Sequence, residues 1–539
     1  MVDEVQETAA TETAEGPVRP TLTTNIVATI AARVGYMVTR VAIPPFVLAH
    51  IGLEAYGLWT TAFILVGYLG LSTIGVSIVY IKSFAELEAK RDYDRANELL
   101  STGLMLTVPL AAAAMLVTIF GWPVIANIIH LPVALATEGR IVVQAVVAVF
   151  LLSSSVGAFG DVLNGVQQIA LTQRVWVISY LIETAMIFVL VGMGRGLRGM
   201  AEAFLFRTLL STVMYVYYAY RTLPWLNVSV SRATRRAAKE FLHLGGVVQL
   251  QMLLSLTLTS AERIAAVLLL GVEAAGLFDL AKKWPGSASA VPSSFLSAFM
   301  PKAAQLQSES GSREAVSDMY IRGSRYMNLS GVYFFALFAV LSPAILTVWL
   351  KQHLEHAALM FTLFSIAMQV HMLTGPATSI LRGIGRVYEE FYYSLPNLVT
   401  LLIFVPLSHV IMHGWTVVGV GVAVCVSTLI SAVILLIRAH HVLRISTVVY
   451  VREVLLPGLV PYAAAALLLI PVTAILANLD RLQQAGVLVV TGFVYTVLVA
   501  VGLFPLSSTD ERQRIRGYWN RALEAMGAGA AVGAAEEGN

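Results

Sequence analysis

Residues 51–59 read IGLEAYGLW, and residues 270–278 read LGVEAAGLF. Gly52, Glu54, Ala55, Gly57 and Leu58 of the first string match Gly271, Glu273, Ala274, Gly276 and Leu277 of the second, at an offset of 219. LNGVQQI at 163–169 is matched by LRGIGRV at 381–387, offset 218, and TLLSTV at 208–213 by TLISAV at 428–433, offset 220. Gly-rich and apolar strings match one another easily, but three pairs at one spacing point to an internal repeat.

The repeated strings lie in an unusually apolar chain. Of its 539 residues, 58% are hydrophobic and 12% charged, and the mean hydropathy is +0.77. Soluble domains carry about 25% charged residues, so this composition cannot cover the surface of a soluble protein and excludes that class. A helix crosses a membrane with about 20 apolar residues. About fourteen such stretches are expected, at 23–50, 58–84, 99–120, 140–164, 175–193, 199–223, 242–270, 276–300, 327–348, 357–381, 391–411, 416–438, 455–475 and 486–505. They are too long for barrel strands of about ten residues. The single cysteine, Cys425, excludes an internal disulfide and a Cys-based metal cluster. A net charge of +3 is too small to argue for nucleic acid.

The repeat maps the first six spans onto the next six. Six is even, so both halves are expected to keep one orientation, as a parallel repeat about an axis along the membrane normal. The fold class is therefore an all-α integral membrane protein, with two six-helix lobes around a central cavity and two further C-terminal helices. The domains expected are a disordered tail (1–20), an N-terminal lobe (21–223), a linker (224–241), a C-terminal lobe (242–445), two extra spans (446–510) and a C-terminal tail (511–539). Basic residues orient the bundle, because Lys and Arg stay on the cytoplasmic side. They cluster at 82–98, 221–241, 301–326 and after 510, whereas loops 51–57, 121–139, 271–275 and 412–415 have none. Arg195, Arg198, Lys351 and Arg481 break the pattern. Both termini are expected in the cytoplasm, and GWPVIANIIHLP at 121–132 reads as an interfacial segment with Trp122 at headgroup level.

Charges at membrane depth are costly unless paired or hydrated, so each is a functional candidate. The first span carries Arg33 and Arg40, which share a helix face. Later spans carry Glu183, Glu202, Arg207, Glu262, Arg263, Asp279, Lys282 and Lys283. Counted from the outer loops at about 1.5 Å per residue, Arg40, Arg207, Arg263 and Lys283 sit at similar depth. A cavity lined by them would attract a phosphate or diphosphate, for which the Arg fork is suited. The structural alternative is pairing: Arg207 with Glu183, and Arg263 or Lys283 with Glu262 or Asp279. Pro44, Pro45, Pro285, Gly286 and Pro292 are expected to interrupt their spans, as hinges or static kinks. His371 reads as a hydrogen-bonded packing residue or a proton carrier. No phosphate loop is present, no metal-ligand spacing is present, and no cofactor is expected.

The order IPPFVLAHIGLEAYGLW (43–59), ILVGYLGLSTIGV (64–76), KSFAELEAKRDYDRANELLSTG (82–103), SAERIAAVLLLGVEAAGLFDLA (260–281) and LRGIGRVYEE (381–390) resembles the polysaccharide transporter family. These are Wzx-like flippases within the multidrug/oligosaccharidyl-lipid/polysaccharide exporter superfamily, and the resemblance covers about residues 23–505. It implies a non-enzymatic flippase of the cell inner membrane. Its cargo would be an undecaprenyl-diphosphate-linked oligosaccharide for O-antigen, capsule or exopolysaccharide synthesis. It also implies a cationic cavity, carried onto Arg33, Arg40, Arg207, Arg263, Lys282 and Lys283, with Glu262, Glu183 and Asp279 as candidate ion-coupling groups. The bilayer and, as candidate partners, a glycan polymerase and glycosyltransferases follow from the same resemblance. A cation-coupled multidrug antiporter, a lipid II flippase and a membrane glycosyltransferase or polymerase are the alternatives. An early-span carboxylate, expected of the antiporter, is absent from the first span.

Overall fold

A computed structural model describes residues 22–69, 74–239, 260, 263–310, 313–351, 354–476 and 479–506. The tails expected at 1–20 and 511–539 lie outside the described residues. Every regular element among the described residues is helical. Ten helices among the described residues are long and apolar enough to cross a membrane. Large apolar side chains such as Leu402, Val489 and Phe493 are exposed on them. A soluble protein would bury such residues; a bilayer solvates them. The chain is an all-helical, multi-pass membrane protein.

Four of the fourteen expected spans are not among these ten. Spans 58–84 and 242–270 include residues outside the description. Span 199–223 is present as the helix Gly196–Thr222, and span 276–300 falls on the helices Val272–Ala288 and Ala290–Ser310. Glu202 and Arg207 in the former, and Asp279, Lys282 and Lys283 in the latter, lower their apolarity.

The loops expected at 51–57 and 271–275 are not loops. The helix Leu22–Leu69 runs through the first, broken only at Gly52, with φ 79° and ψ 171°. At the repeat-related position, helix 263–270 meets Val272–Ala288 at Gly271, with φ 85°. Without a Cβ, one glycine in the left-handed region can redirect a helix axis where other residues would need a loop. Pro44 and Pro45, expected to interrupt the first span, lie inside the helix, and its break falls further on at Gly52. Pro285 is inside Val272–Ala288, but the span expected at 276–300 is interrupted as foreseen, at Ser289 between Gly286 and Pro292. Trp122 is buried against the protein.

Packing divides the chain into two compact units: Met1–Lys283 with Leu407–Val420, and Trp284–Pro406 with Gly421–Asn539. Each has its own core. Leu100, Phe159, Val162, Leu163, Ala219 and Leu223 belong to the first core. Tyr320, Ala377, Ile380, Leu381, Ala439 and Leu443 belong to the second. Pair by pair these positions stand 218 or 220 residues apart, so the repeat is a duplicated core as well as a duplicated string.

Helix ends repeat too. After Ala158–Gly165, Gln167 takes φ 65°, its N–H donates to Asn164 O, and Gln168 N–H donates to Leu163 O. After Glu355–Gly383, Gly385 takes φ 78°, with the equivalent bonds to Arg382 O and from Arg386 N–H to Leu381 O. This left-handed cap satisfies the last carbonyls of both helices. Gly194 and His413, 219 apart, form a third such pair, with φ 83° and 54°.

The linker expected at 224–241 is strapped down over its first half. Asn97 donates to Trp225 O at 2.9 Å and accepts from Asn227 N–H at 2.7 Å. Ser101 Oγ and Thr102 Oγ1 accept from the N–H groups of Ser229 and Thr234. Trp225 stacks on Tyr93 at 4.5 Å. These bonds supply partners that a strap of irregular backbone otherwise lacks. In the second unit, His371 Nδ1 lies 2.8 Å from Tyr393 Oη, the hydrogen-bonded packing alternative.

Candidate functional site

The strings that opened the sequence pack against each other. A Cβ on Gly57 would fall 1.9 Å from Val272 O, and one on Gly276 would fall 3.1 Å from Gly57 Cα. Backbone contact this close is open only to glycine. It sets the residues just beside the contact within reach of one another: Tyr56 Oη donates to Asp279 Oδ2 at 2.6 Å.

Beside this contact lies a cavity of about 480 Å³ within the first unit. Five segments wall it, and the first three each present one face at helical spacing. The first helix supplies Tyr56, Trp59, Thr60 and Phe63. Ile169–Gly192 supplies Trp176, Tyr180, Glu183 and Ile187. Gly196–Thr222 supplies Met200, Phe204 and Arg207. Arg263 comes from helix 263–270, and Asp279 and Lys283 come from Val272–Ala288.

The charges form two nodes. In one, Arg207 Nε lies 3.0 Å from the buried Glu183 Oε2. The Arg207 guanidinium carbon also lies 4.8 Å from the Phe204 ring centre and 5.7 Å from that of Tyr180. Aromatic faces hold a cation electrostatically while leaving it desolvated. In the other node, Asp279 meets Lys283 Nζ at 2.7 Å and Arg263 Nη1 at 3.9 Å, besides the Tyr56 hydroxyl. Three cations against two carboxylates leave the described lining positive by one charge. Groups this buried must be paired to be tolerated, and each of the three lining cations has a carboxylate within 4 Å.

The structure thus brings five expected residues, Glu183, Arg207, Arg263, Asp279 and Lys283, to one cavity. The pairing alternative holds for them at the same time. Lys282 is not among the lining residues; one residue from Lys283 is a turn of about 100° about the helix axis. Arg33 and Arg40 lie on the Leu22–Leu69 helix, but their side chains are outside the described residues. Glu262 is also outside them. The aromatic wall was not expected from the sequence. Trp59, Phe63 and Phe204 pack edge to face with centres 5.1–5.9 Å apart, and Trp176 stacks on Tyr180 at 5.1 Å.

Architecture and cavity together define a class, an all-helical multi-pass membrane protein with a charged internal cavity. No family model matches the chain. A solved structure of the lipid II flippase MurJ in an inward closed conformation is similar to it over 89% of this chain and 99% of that one, with TM-score 0.64 and 12% identity. An inward-facing multidrug resistance MATE family transporter of the MOP superfamily is similar over 78% and 94%, with TM-score 0.61 and 12% identity. In sequence, the uncharacterized membrane protein EpsK of Bacillus subtilis (strain 168) is 21% identical over 512 residues, 92% of this chain and 97% of that protein.

Proposed function

We propose that this protein is a flippase for undecaprenyl-diphosphate-linked oligosaccharide. It carries the lipid from the cytoplasmic to the periplasmic leaflet of the inner membrane by alternating access, for cell-surface polysaccharide synthesis. The observation that carries the reading is a buried, aromatic-walled cavity whose described lining holds three cations and two carboxylates. A diphosphate needs compensating charge to leave the headgroup zone. Lys283 and Arg263 offer it, and Arg33 and Arg40 add cations to the same lobe. The fold shared with a lipid II flippase supports a lipid-linked cargo. Both termini face the cytoplasm in this account, and the protein does no covalent chemistry.

The multidrug antiporter reading has the MATE-like fold in its favour. Against it stands the described lining, in which three cations face two carboxylates, because a site for organic cations needs acids in excess. Deletion of the gene separates the two. The flippase reading expects undecaprenyl-diphosphate-linked glycan to accumulate and surface polysaccharide to disappear. Intact surface polysaccharide, with new sensitivity to cationic drugs, would overturn it.

A further inference from the structure

We propose that a second cavity, in the other compact unit, binds an anionic phospholipid of the membrane, with an acyl chain in the cavity and the phosphate at Arg481. The inference needs only the membrane reading of the chain and is independent of the cargo.

This cavity, of about 670 Å³, lies between the helices Arg313–Leu350 and Arg481–Leu503, within the second unit. Leu341, Ile345 and Val348 line one side, and Leu482, Ala485 and Val489 the other. Each set recurs at steps of three and four and so forms one helix face. Leu482 and Val489 also stay exposed, so the cavity opens on a surface that lipid solvates. The lining runs from Val348 to Leu337 and from Arg481 to Thr491, about 15 Å along each helix at about 1.5 Å per residue. That is half of a hydrocarbon core of about 30 Å, the depth of one leaflet. An acyl chain has this reach; a polyprenyl tail is far longer.

One end of the cavity is polar. Arg481 Nε donates to Val348 O at 2.9 Å, and Nη2 donates to Trp349 O at 3.1 Å. No carboxylate pairs with Arg481 among the described residues, and the neighbouring Asp480 carboxylate accepts from the Gln483 N–H as a helix cap. A guanidinium has five N–H donors, so several remain for a phosphate. Lys351, exposed, follows Trp349 by two residues. Lys351 and Arg481 both broke the expected distribution of basic residues, and the fold brings them to the same end of one cavity. In the proposed orientation this end meets the outer leaflet, where a lipid phosphate accounts for cations that the cytoplasmic surface does not.

Trp284 adds a second donor. Its ring lines the cavity, held edge to face by Phe338 and Trp349 with centres 5.8 Å apart in both cases. Its Nε1 is buried without a hydrogen-bond partner among the described residues. A buried donor left without an acceptor is costly. An ester oxygen of a seated phospholipid supplies the acceptor, as hydrocarbon alone cannot.

Native mass spectrometry of the purified full-length protein, titrated with phosphatidylglycerol, phosphatidylcholine and undecaprenyl phosphate, tests this. Phosphatidylglycerol is expected to be held at least about fivefold more tightly than phosphatidylcholine. Ala485→Phe fills the cavity and keeps the cations, Arg481→Gln does the reverse, and each is expected to weaken phosphatidylglycerol about tenfold. Trp284→Phe keeps a ring and removes the donor, and Lys351→Gln changes only an exposed side chain; each is expected to cost about threefold. These two mild variants keep the test decisive if a harsher one fails to fold. Equal binding of the two phospholipids, or no loss in Arg481→Gln and Lys351→Gln, would overturn the anionic assignment. No loss in Ala485→Phe and Trp284→Phe would overturn the site. Undecaprenyl phosphate held more tightly than phosphatidylglycerol, and lost in the same variants, would make the cavity a seat for the cargo's tail and overturn the phospholipid. Glycerol 3-phosphate is expected not to compete; competition would show a site for free phosphate instead.

Discussion

Asp279 holds more of the cavity together than any other described side chain. It receives Lys283, Arg263 and the Tyr56 hydroxyl, and so ties the first helix to the two segments flanking Gly271. Asp279→Asn keeps the shape and removes the charge. Arg263 and Lys283 would then lose the acid they share, at a cost of about 3 kcal/mol. The expected outcome is a lower melting temperature together with tighter binding of undecaprenyl diphosphate, since both cations become available to it. Unchanged stability would show that Asp279 is not the acid that neutralises them. Much of this node was readable in the sequence. Asp279 and Lys283 stand one helical turn apart, and the depths of Glu183 and Arg207 matched across adjacent helices. The aromatic wall was not seen, because Trp59, Phe63, Trp176, Tyr180 and Phe204 sit in spans where any large apolar residue is expected. A signal was present even so. Stepping by three and four from Glu183 reaches Tyr180, Trp176 and Ile187, and from Arg207 it reaches Phe204 and Met200. Those are the faces that line the cavity.

Among helices, the repeat was legible as three strings, and the backbone shows how far it extends. Gly52 and Gly271 were matched by sequence and share a left-handed conformation. Gly194 and His413 share one too, yet glycine against histidine gave no string to find. The mistaken loops at 51–57 and 271–275 have the same origin. A gap in hydropathy marks the end of a span but does not say whether a chain of residues or a single glycine makes the turn. The hold on the linker was also hidden, since Asn97, Ser101 and Thr102 look like ordinary polar residues at a helix start. Where the repeat places glycine in one copy and a side chain in the other, the side chain is strained. Gln167 at φ 65° carries a Cβ that Gly385 avoids. Gln167→Gly is expected to raise stability by about 1 kcal/mol, read as a higher melting temperature. The reverse change, Gly385→Gln, is expected to lower it by a similar amount. A fall in stability for Gln167→Gly would mean that its side chain makes contacts worth more than the relief of strain.

For the whole molecule, hydropathy led to the membrane class, and the fold agrees. The orientation is open to a direct check. In a Cys425→Ser background, Arg232→Cys and Lys90→Cys are expected to react with an impermeant thiol reagent only from the cytoplasmic side, and His130→Cys only from the periplasmic side. The opposite pattern would invert the topology and with it the direction of transport. The central claim is that a cavity lined by Arg207, Arg263 and Lys283 moves a diphosphate-linked glycan between leaflets. The most direct measurement is translocation of undecaprenyl-diphosphate-linked N-acetylglucosamine across proteoliposomes containing the full-length protein under an imposed ion gradient, beside Arg263→Gln and Lys283→Gln. The account predicts transfer by the unaltered protein and a loss of at least about tenfold in each variant. Transfer that survives both substitutions would contradict the cationic mechanism. No transfer under any gradient, with a cationic dye moved instead, would contradict the function itself.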